Sequence, residues 1–385
     1  MIKISLGTLV TQLKPTGNYQ AFVPSAFPPD GFGSFSPKIH QKSNVATRLI
    51  GKLDGITKLL PDADFFLLMY LRKDAASSSQ IEGTRATMID AIEAEAMIST
   101  DVPPDVDDIL HYIKALNYGM KRVTDENFPV SLRFIREVHN ELMKGARATH
   151  FADPGNFRTT QNWIGGSRPD NASFVPPPPH ELGRVLGDLE NFMHTEDALS
   201  PIVRAGILHA QFETIHPFLD GNGRTGRMLI TFYLWKEGCL EKPVLFLSSY
   251  FKRYQQLYYG RLSSYHDGDV ELWLDFFLDG VIEIAQEGID TVQKITDLRI
   301  EDSEKIQSLG KRAAESAMPV LRKLYTQPIV NSSIIQSWTQ YTWKGAQKVI
   351  DRFIALGILV PKDLDKKYGQ SYMYKKYVDI FSNNS

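Results

Sequence analysis

Cysteine is nearly absent: Cys239 is the only one among 385 residues. No disulfide can close within the chain, and no cysteine-rich zinc site can form. That scarcity fits a reducing compartment. Net charge is missing as well. The 43 Lys and Arg nearly balance 45 Asp and Glu, leaving −2 overall. The chain as a whole is therefore neither a nucleic-acid coat nor a membrane-surface binder, although a local basic patch stays open. Long apolar runs are absent too. The opening MIKISLGTLVTQLKP has too short an apolar stretch for a signal peptide, and no later segment approaches a membrane span. The expectation is a cytoplasmic protein with no membrane partner. With 43% hydrophobic and 23% charged residues, the composition is that of a globular chain long enough for about two or three domains.

What is present is mostly helical periodicity. Residues 1–38, with AFVPSAFPPDGFGSFSP, have no period and are expected to form an arm over the surface. From KIHQKSNVATRLIGKLDGITKLL onward, apolar residues recur at i, i+3, i+4 and i+7. The same spacing runs through DADFFLLMYLRKDAASSSQIEG, DVDDILHYIKALNYGMKRV, SLRFIREVHNELMKG and HELGRVLGDLENFMHT. PIVRAGILHAQFETI is mostly apolar and reads as a buried central helix. One stretch breaks the rhythm: FRTTQNWIGGSRPDNASFVPPPP predicts a β-hairpin or flap around Gly165-Gly166, then a stiff extended run from Pro176 to Pro179. Helices return over 249–308. Beyond about residue 315, three helical patterns and a hairpin around Gly369 make a winged-helix pattern. The expected organisation is an arm at 1–38, a helical region at 39–125, a catalytic domain at 126–300 and a winged-helix domain at 310–385.

The richest segment is His216-Pro-Phe-Leu-Asp-Gly-Asn-Gly-Arg-Thr-Gly-Arg227. Gly221, Gly223 and Gly226 have the spacing of a dinucleotide-binding fingerprint. That fingerprint requires a preceding strand, and GILHAQFETIHPF reads as helix. A P-loop is excluded because Arg227-Met228 stand where Lys-Ser/Thr is required. The local chemistry is nevertheless that of an anion site. Gly221-Asn222-Gly223 can form a nest of backbone N–H groups, followed by a helix starting near Arg224 whose amino end favours phosphate. Arg224 and Arg227, three apart, can share the face of its first turn. Asp220 is a hard oxygen ligand suited to Mg²⁺ between phosphates. His216 can serve as a general base. Together these suit phosphoryl or nucleotidyl transfer. His209 reads as a buried helix residue, and Asp153, His180, His194 and Glu213 do not make a convincing zinc set.

HPFLDGNGRTGR resembles the core motif of the Fic family, His-x-Phe-x-Asp/Glu-Gly-Asn-Gly-Arg-x-x-Arg, at every defined position. The resemblance extends over roughly residues 40–300, including NWIGG and VPPPP. It implies a mainly α-helical Fic-type bundle with a β-hairpin flap, here followed by the winged-helix pattern. It also implies transfer of AMP from ATP to a Ser, Thr or Tyr hydroxyl of a protein. The implied roles are His216 as base, Phe218 as structural anchor and Asp220 as Mg²⁺ ligand. Asn222 and Gly223 would hold the α- and β-phosphates, Arg224 the β-phosphate and Arg227 the γ-phosphate. Gly221 and Gly226 shape the nucleotide loop, and Tyr258 in QLYYGRL resembles the adenosine-contacting position. Doc-like kinases of the family carry Lys where this chain has Gly223, and a phosphocholine-transferring member uses another nucleotide. Gly223 favours adenylylation.

Ser78-Ser79-Gln80-Ile81-Glu82-Gly83 resembles the family's inhibitory motif. Ser78 and Glu82 share a helix face, and Gly83 suits a helix end. The resemblance implies that Glu82 pairs with Arg227 and blocks the γ-phosphate. Around Asn162, Trp163 and Ile164, the flap could add a target segment as a strand. The basic and aromatic set Lys344, Lys348, Arg352, Lys362, Lys366, Lys367, Lys375, Lys376, Trp343, Tyr368, Tyr372 and Tyr374 could serve DNA phosphates, or the module could bind protein. A homodimer is a further partner suggested by relatives. Two other activities stay open: removal of AMP from a modified protein with help from Glu82, and a DNA-binding regulator whose Fic part only senses nucleotide.

Overall fold

The computed structural model of the chain describes residues 3–13, 17–29, 32–58, 60, 63–98, 102–125, 127–145, 153–195, 198–363 and 369–382. The N-terminal arm is more ordered than its sequence suggests. Strands β1 (Gly7–Gln12) and β2 (Tyr19–Pro24) pair antiparallel from Gly7 opposite Pro24 to Gln12 opposite Tyr19. The hairpin is tied down just before its first strand and within its second. Ile4 N–H donates to Gly268 O at 3.1 Å, and Phe22 N–H donates to Val175 O at 2.9 Å. Buried Leu6, Phe22, Phe27 and Phe35 anchor it by apolar burial. Neither strand alternates cleanly, because β1 is uncovered along most of its length and β2 is buried along most of its own.

Helices α1 (Pro37–Lys58), α2 (Ala63–Ile81), α3 (Met88–Glu95), α4 (Val106–Thr124) and α5 (Leu132–Met143) make the first half of the bundle. Several start on side-chain caps: Thr87 for α3 in a reciprocal capping box with Asp90, and Ser131 for α5. The second half holds α6 (Leu182–His194), α7 (Pro201–Ile215), α8 (Asn222–Lys236), α9 (Ser248–Arg253), α10 (Gln255–His266) and α11 (Val270–Gln307). In α7 every residue from Ile202 to Ile215 is buried, which is why its sequence shows no polar face. It packs on α8 and α11 and holds the motif loop at the centre of the molecule.

The expected flap is reduced to one antiparallel bridge, Ile164 opposite Phe174, with two hydrogen bonds to Ile164 O at 2.9 and 3.2 Å and one from its N–H at 2.9 Å. Gly165 and Gly166 turn the chain there at φ +68° and +71°.

Beyond α11 come α12 (Lys311–Leu324), β3 (Ile329–Val330), α13 (Ser332–Thr339), α14 (Trp343–Ala355), β4 (Val360–Pro361) and β5 (Tyr372–Met373). The strands form an antiparallel sheet in the order β3-β5-β4. The end of the chain departs from the expected hairpin: after β5 it turns into α15 (Lys375–Ser382). Buried Tyr377, Val378 and Phe381 give that segment a helical stripe which short β-like aromatics had masked. This module sits directly on α2. Arg72 donates to Thr326 O at 2.7 Å, and Tyr70 meets Phe381 edge-on at 5.5 Å.

Candidate active site

The motif loop is built by hydrogen bonds that fix its backbone before any ligand is considered. Helix α7 ends at His216, whose φ of 49° lies in the left-handed region. That conformation is uncommon without glycine and is held from several sides. Arg158 Nε donates to His216 O at 2.9 Å, its NH2 donates to Pro177 O at 2.6 Å, and its backbone N–H donates to Pro217 O at 2.9 Å. Asn162 Nδ2 donates to His216 O at 3.1 Å and Phe218 O at 2.8 Å. Phe218 is fully buried and stacks on His139 at 3.6 Å. His139 Nδ1 accepts from Gly155 N–H at 2.9 Å. Its Nε2 must then carry the hydrogen given to Asp220 O, at 2.9 Å.

Asn222 closes the loop on itself. Its Oδ1 accepts from Phe218 N–H at 2.8 Å, and its Nδ2 donates to Phe218 O at 2.9 Å. The Asn222 side chain is thus spent on the loop, and what the residue offers outward is its backbone N–H. Helix α8 begins at Asn222, two residues earlier than expected, so only Gly221 in this stretch has positive φ, at 78°. A Cβ there would lie 2.8 Å from Met143 Sδ. Sterics and backbone together require glycine. The anion site is therefore the amino end of a helix rather than a free-standing nest.

His216, Asp220, Gly221, Asn222, Gly223, Arg227 and Tyr258 meet around one cavity of 560 Å³. His216 Nδ1 lies 3.3 Å from Glu213 O, a pure acceptor, so Nδ1 carries the hydrogen and Nε2 is the basic nitrogen. Burial lowers the imidazole pKa to about 4, with the Glu213 carbonyl opposing. The ring is neutral near pH 7. Asp220 is half-exposed at the rim; its Oδ1 accepts from Gly221 N–H at 2.6 Å and stands 3.8 Å from Arg224. Arg224 is buried, and its Nε has no partner among the described residues. Tyr258 is buried with its hydroxyl 2.9 Å from His209 Nε2, its ring stacked on Phe251 at 4.5 Å. No cluster of three or more His, Cys, Asp or Glu side chains that could hold a metal ion occurs among the described residues.

Residues 129–234 match the Fic/DOC family and residues 40–121 match the Fic/DOC family N-terminal domain. The chain belongs to the Fic/DOC family. It is 29% identical over 177 residues to the protein adenylyltransferase Fic of Aedes aegypti, covering 45% of this chain and 32% of that protein. It is 30% identical over 190 residues to a probable protein adenylyltransferase of Aquifex aeolicus, covering 49% of this chain and 54% of the other. The chain therefore spans about a third to a half of the length of these relatives. Among solved structures, a Fic family protein from Desulfovibrio desulfuricans superposes with a TM-score of 0.57 at 18% identity, over 88% of this chain and 96% of that one. A Fic-domain signaling protein from Bacteroides thetaiotaomicron gives 0.51 at 20% identity, over 66% and 97%. These likenesses place the helical bundle in the Fic fold.

In this Fic domain the second arginine is held through its Nε and Nη2. Arg227 Nε donates to Ser78 Oγ at 2.9 Å, and NH2 donates to Ser78 O at 3.1 Å and to Glu82 Oε1 at 2.7 Å. Ser78 is buried on α2, and Glu82 follows that helix just before Gly83, which turns at φ +94°. Desolvation works against ionised Glu82, but the Arg227 charge and hydrogen bond outweigh it and lower the carboxyl pKa. Gly223 makes room for this contact: a Cβ there would stand 2.4 Å from Glu82 Oε1. Gln255 Nε2 donates to Ile81 O at 3.0 Å, fastening the same helix end to α10.

Of the flap residues, Trp163 and Ile164 line the cavity at 38% and 36% exposure, whereas Asn162 is buried beneath them as a loop clamp. The C-terminal basic set is divided. Lys344 and Lys348 are exposed on α14, with Trp343 beside them at 58% exposure. Lys362 pairs with Glu93, Lys375 with Asp379 and Lys376 with Glu301. Tyr372 and Tyr374 are core residues, and Lys366, Lys367 and Tyr368 lie outside the described residues. Arg158, His139 and Glu213 carry roles in the site that no local pattern announced. For Glu213 the available signal was its polarity within a mostly apolar helix; His139 and Arg158 stand among other polar residues.

Proposed function

We propose that the protein moves AMP from ATP to a Ser, Thr or Tyr hydroxyl of another protein, in a cytoplasmic setting, and that Glu82 restrains the reaction. The observation that carries this reading is one cavity shared by neutral His216, the amino end of α8, Arg227 and Asp220. His216 Nε2 takes the proton of the target hydroxyl. The hydroxyl oxygen bonds to the α-phosphorus as the bond to pyrophosphate breaks. The N–H groups of Asn222, Gly223 and Arg224 and the α8 dipole stabilise the charge that develops on the phosphates. Arg224, with its buried unpartnered Nε, suits the β-phosphate. Arg227 suits the γ-phosphate, for which Glu82 competes as an equally anionic partner.

Asp220 fits a role beside magnesium. It is a single half-exposed carboxylate, and its Oδ2 has no hydrogen-bond partner among the described residues. A lone carboxylate plus substrate phosphates is the donor set this ion prefers. Bound there, magnesium would neutralise and orient the phosphates. Trp163 and Ile164 at the cavity mouth support the flap as the seat of an extended target segment.

Incorporation of labelled ATP into lysate proteins tests the reading. The Glu82→Gly variant is expected to label a target, and adding His216→Ala to remove about 10²–10⁴-fold of the rate. Undiminished labelling without His216 would overturn it. A second reading, removal of AMP from a modified target, is favoured by the ionised Glu82 carboxylate in the same cavity. Loss of AMP from a modified target without ATP, measured by mass spectrometry, distinguishes it. DNA binding by the C-terminal module rests on Lys344, Lys348 and Trp343, and salt-dependent retention of random duplex tests it.

A further inference from the structure

Glu213 is a buried carboxyl that the transfer mechanism above leaves unused. It lies one turn before His216 on α7, is 7% exposed and lines the same cavity. Its Oε2 stands 3.7 Å from His216 Nδ1, and its Oε1 is buried with no hydrogen-bond partner. The neighbouring helix closes the space behind it, because a Cβ on Gly226 would come within 2.6 Å of Oε1. A purely structural buried carboxyl would have both oxygens satisfied. This one is packed beside the hydrogen-bearing edge of the base, with capacity to spare.

We propose that Glu213 is a positioning residue for His216: its carboxylate holds the Nδ1–H edge of the ring and balances the charge the ring gains on taking the hydroxyl proton. The inference rests on the adenylylation reading and adds to it a group on the far side of the base. Atoms balance simply. The proton moves from the target oxygen to Nε2, Nδ1 keeps its own, and Glu213 changes no bond.

The charged and titratable neighbours define when this support is available. Arg227 faces Glu213 from α8, Glu82 from the end of α2 and Tyr258 from α10; His209 precedes it by one turn on α7. His216 is in turn faced by Arg158, Asp220, Glu82 and His266. Burial pushes the Glu213 carboxyl up to about 8, with Arg227 opposing and Glu82 adding to the rise. With Glu82 in place, Glu213 is neutral near pH 7 and withholds its charge from the base. Removing Glu82 takes away one cause of the rise.

The test uses the full chain in the Glu82→Gly background, comparing Glu213→Gln and Glu213→Asp. The rate of AMP transfer is followed from about pH 6 to about pH 9, where a group near neutrality governs the profile. Expected is a kcat that rises with pH through the Glu213 ionisation. In Glu213→Gln that rise disappears, kcat falls by roughly 10–100-fold as for a lost orienting partner, and KM for ATP stays nearly unchanged. Glu213→Asp restores part of the rise. In parallel, the His216 ring signals are followed by NMR in protein carrying labelled histidine, assigned against His216→Ala. They are expected to show a second step at the Glu213 midpoint, absent in Glu213→Gln. Unchanged kcat and profile in Glu213→Gln, a loss confined to KM, or His216 signals blind to that step would each overturn the proposal. If Glu82→Gly transfers no AMP at all, the adenylylation reading fails on its own, while the ring signals still decide whether Glu213 titrates against His216.

Discussion

Replacing Glu82 with Gly removes one of the hydrogen bonds described for Arg227 and, among the described residues, the bond that brings a negative charge to it. Ser78 keeps two acceptors on the guanidinium, so the arginine stays in place while its outer nitrogen becomes available. Hydrogen bonds between charged partners contribute about 1.5–3 kcal/mol. Arg227 is 2% exposed but Glu82 is 39% exposed, so solvent screening puts the contact near the lower end. At 1.4 kcal/mol per tenfold, about 1.5–2 kcal/mol corresponds to roughly 10–30-fold. AMP incorporation from labelled ATP, followed by gel and mass spectrometry, is expected to rise by that factor. Without nucleotide, the same variant leaves a buried cation short of its counter-charge, so its thermal midpoint should fall, and ATP should recover part of the loss by binding the native state. Equal labelling by the wild type and Glu82→Gly would refute the assignment of Glu82 as a brake. A raised rate with an unchanged thermal midpoint would refute the ion pair as its physical basis.

Gly223→Ala puts a Cβ within 2.4 Å of Glu82 Oε1, a flexible side-chain end that must move. Labelling is expected to rise above wild type but to stay below Glu82→Gly, since the methyl group also narrows the amino end of α8. Adding it to Glu82→Gly should give no further gain. Asn222→Ala removes both buried bonds that close the loop and is expected to cost about 1–3 kcal/mol in stability by denaturant titration. His139, His209, His216 and His266 are held neutral by burial, with pKa values of about 4, about 3, about 4 and about 3. All lie below the unfolded value of about 6.5, so the unfolded chain takes up protons first. Stability should fall as pH drops from about 6.5 toward 4, and a thermal midpoint flat across that range would contradict their neutral burial. Glu213 works in the opposite sense: its share of stability is complete below about pH 4.5 and lost as pH rises through about 8. Glu213→Gln should remove that loss from the pH dependence of the thermal midpoint.

The site is legible in sequence where its chemistry is local. His216, Asp220, Gly221 and Arg227 fall within one turn-and-helix segment, so spacing alone brings them near each other. The supports are illegible for the same reason. His139 reaches Asp220 across 81 residues and Arg158 reaches His216 across 58, and nothing in either neighbourhood signals the partner. Asn222 shows a subtler limit: spacing does not tell that its side chain is the right length to bridge both polar groups of Phe218 and close the loop. In the fold, the long amphipathic helices follow from their apolar spacing. The N-terminal hairpin does not, because its strands gain order from Gly268 and Val175, far along the chain. At the other end, Tyr372 and Tyr374 resemble part of a nucleic-acid surface by composition, whereas tertiary packing buries both.

Helix α2 gives the resting contact a property that no list of bonds conveys. Glu82 and Arg227 stand 145 residues apart in one chain, so their meeting is intramolecular and its likelihood does not depend on how many molecules share the solution. Specific activity should be the same in a dilute extract as in a crowded cell, unlike a toxin held by a separate antidote that dilution strips away. The contact itself thus needs no second molecule. On the proposed role of Glu82, a handle would be whatever bears on α2, whose middle is fastened to the C-terminal module through Arg72 and Tyr70.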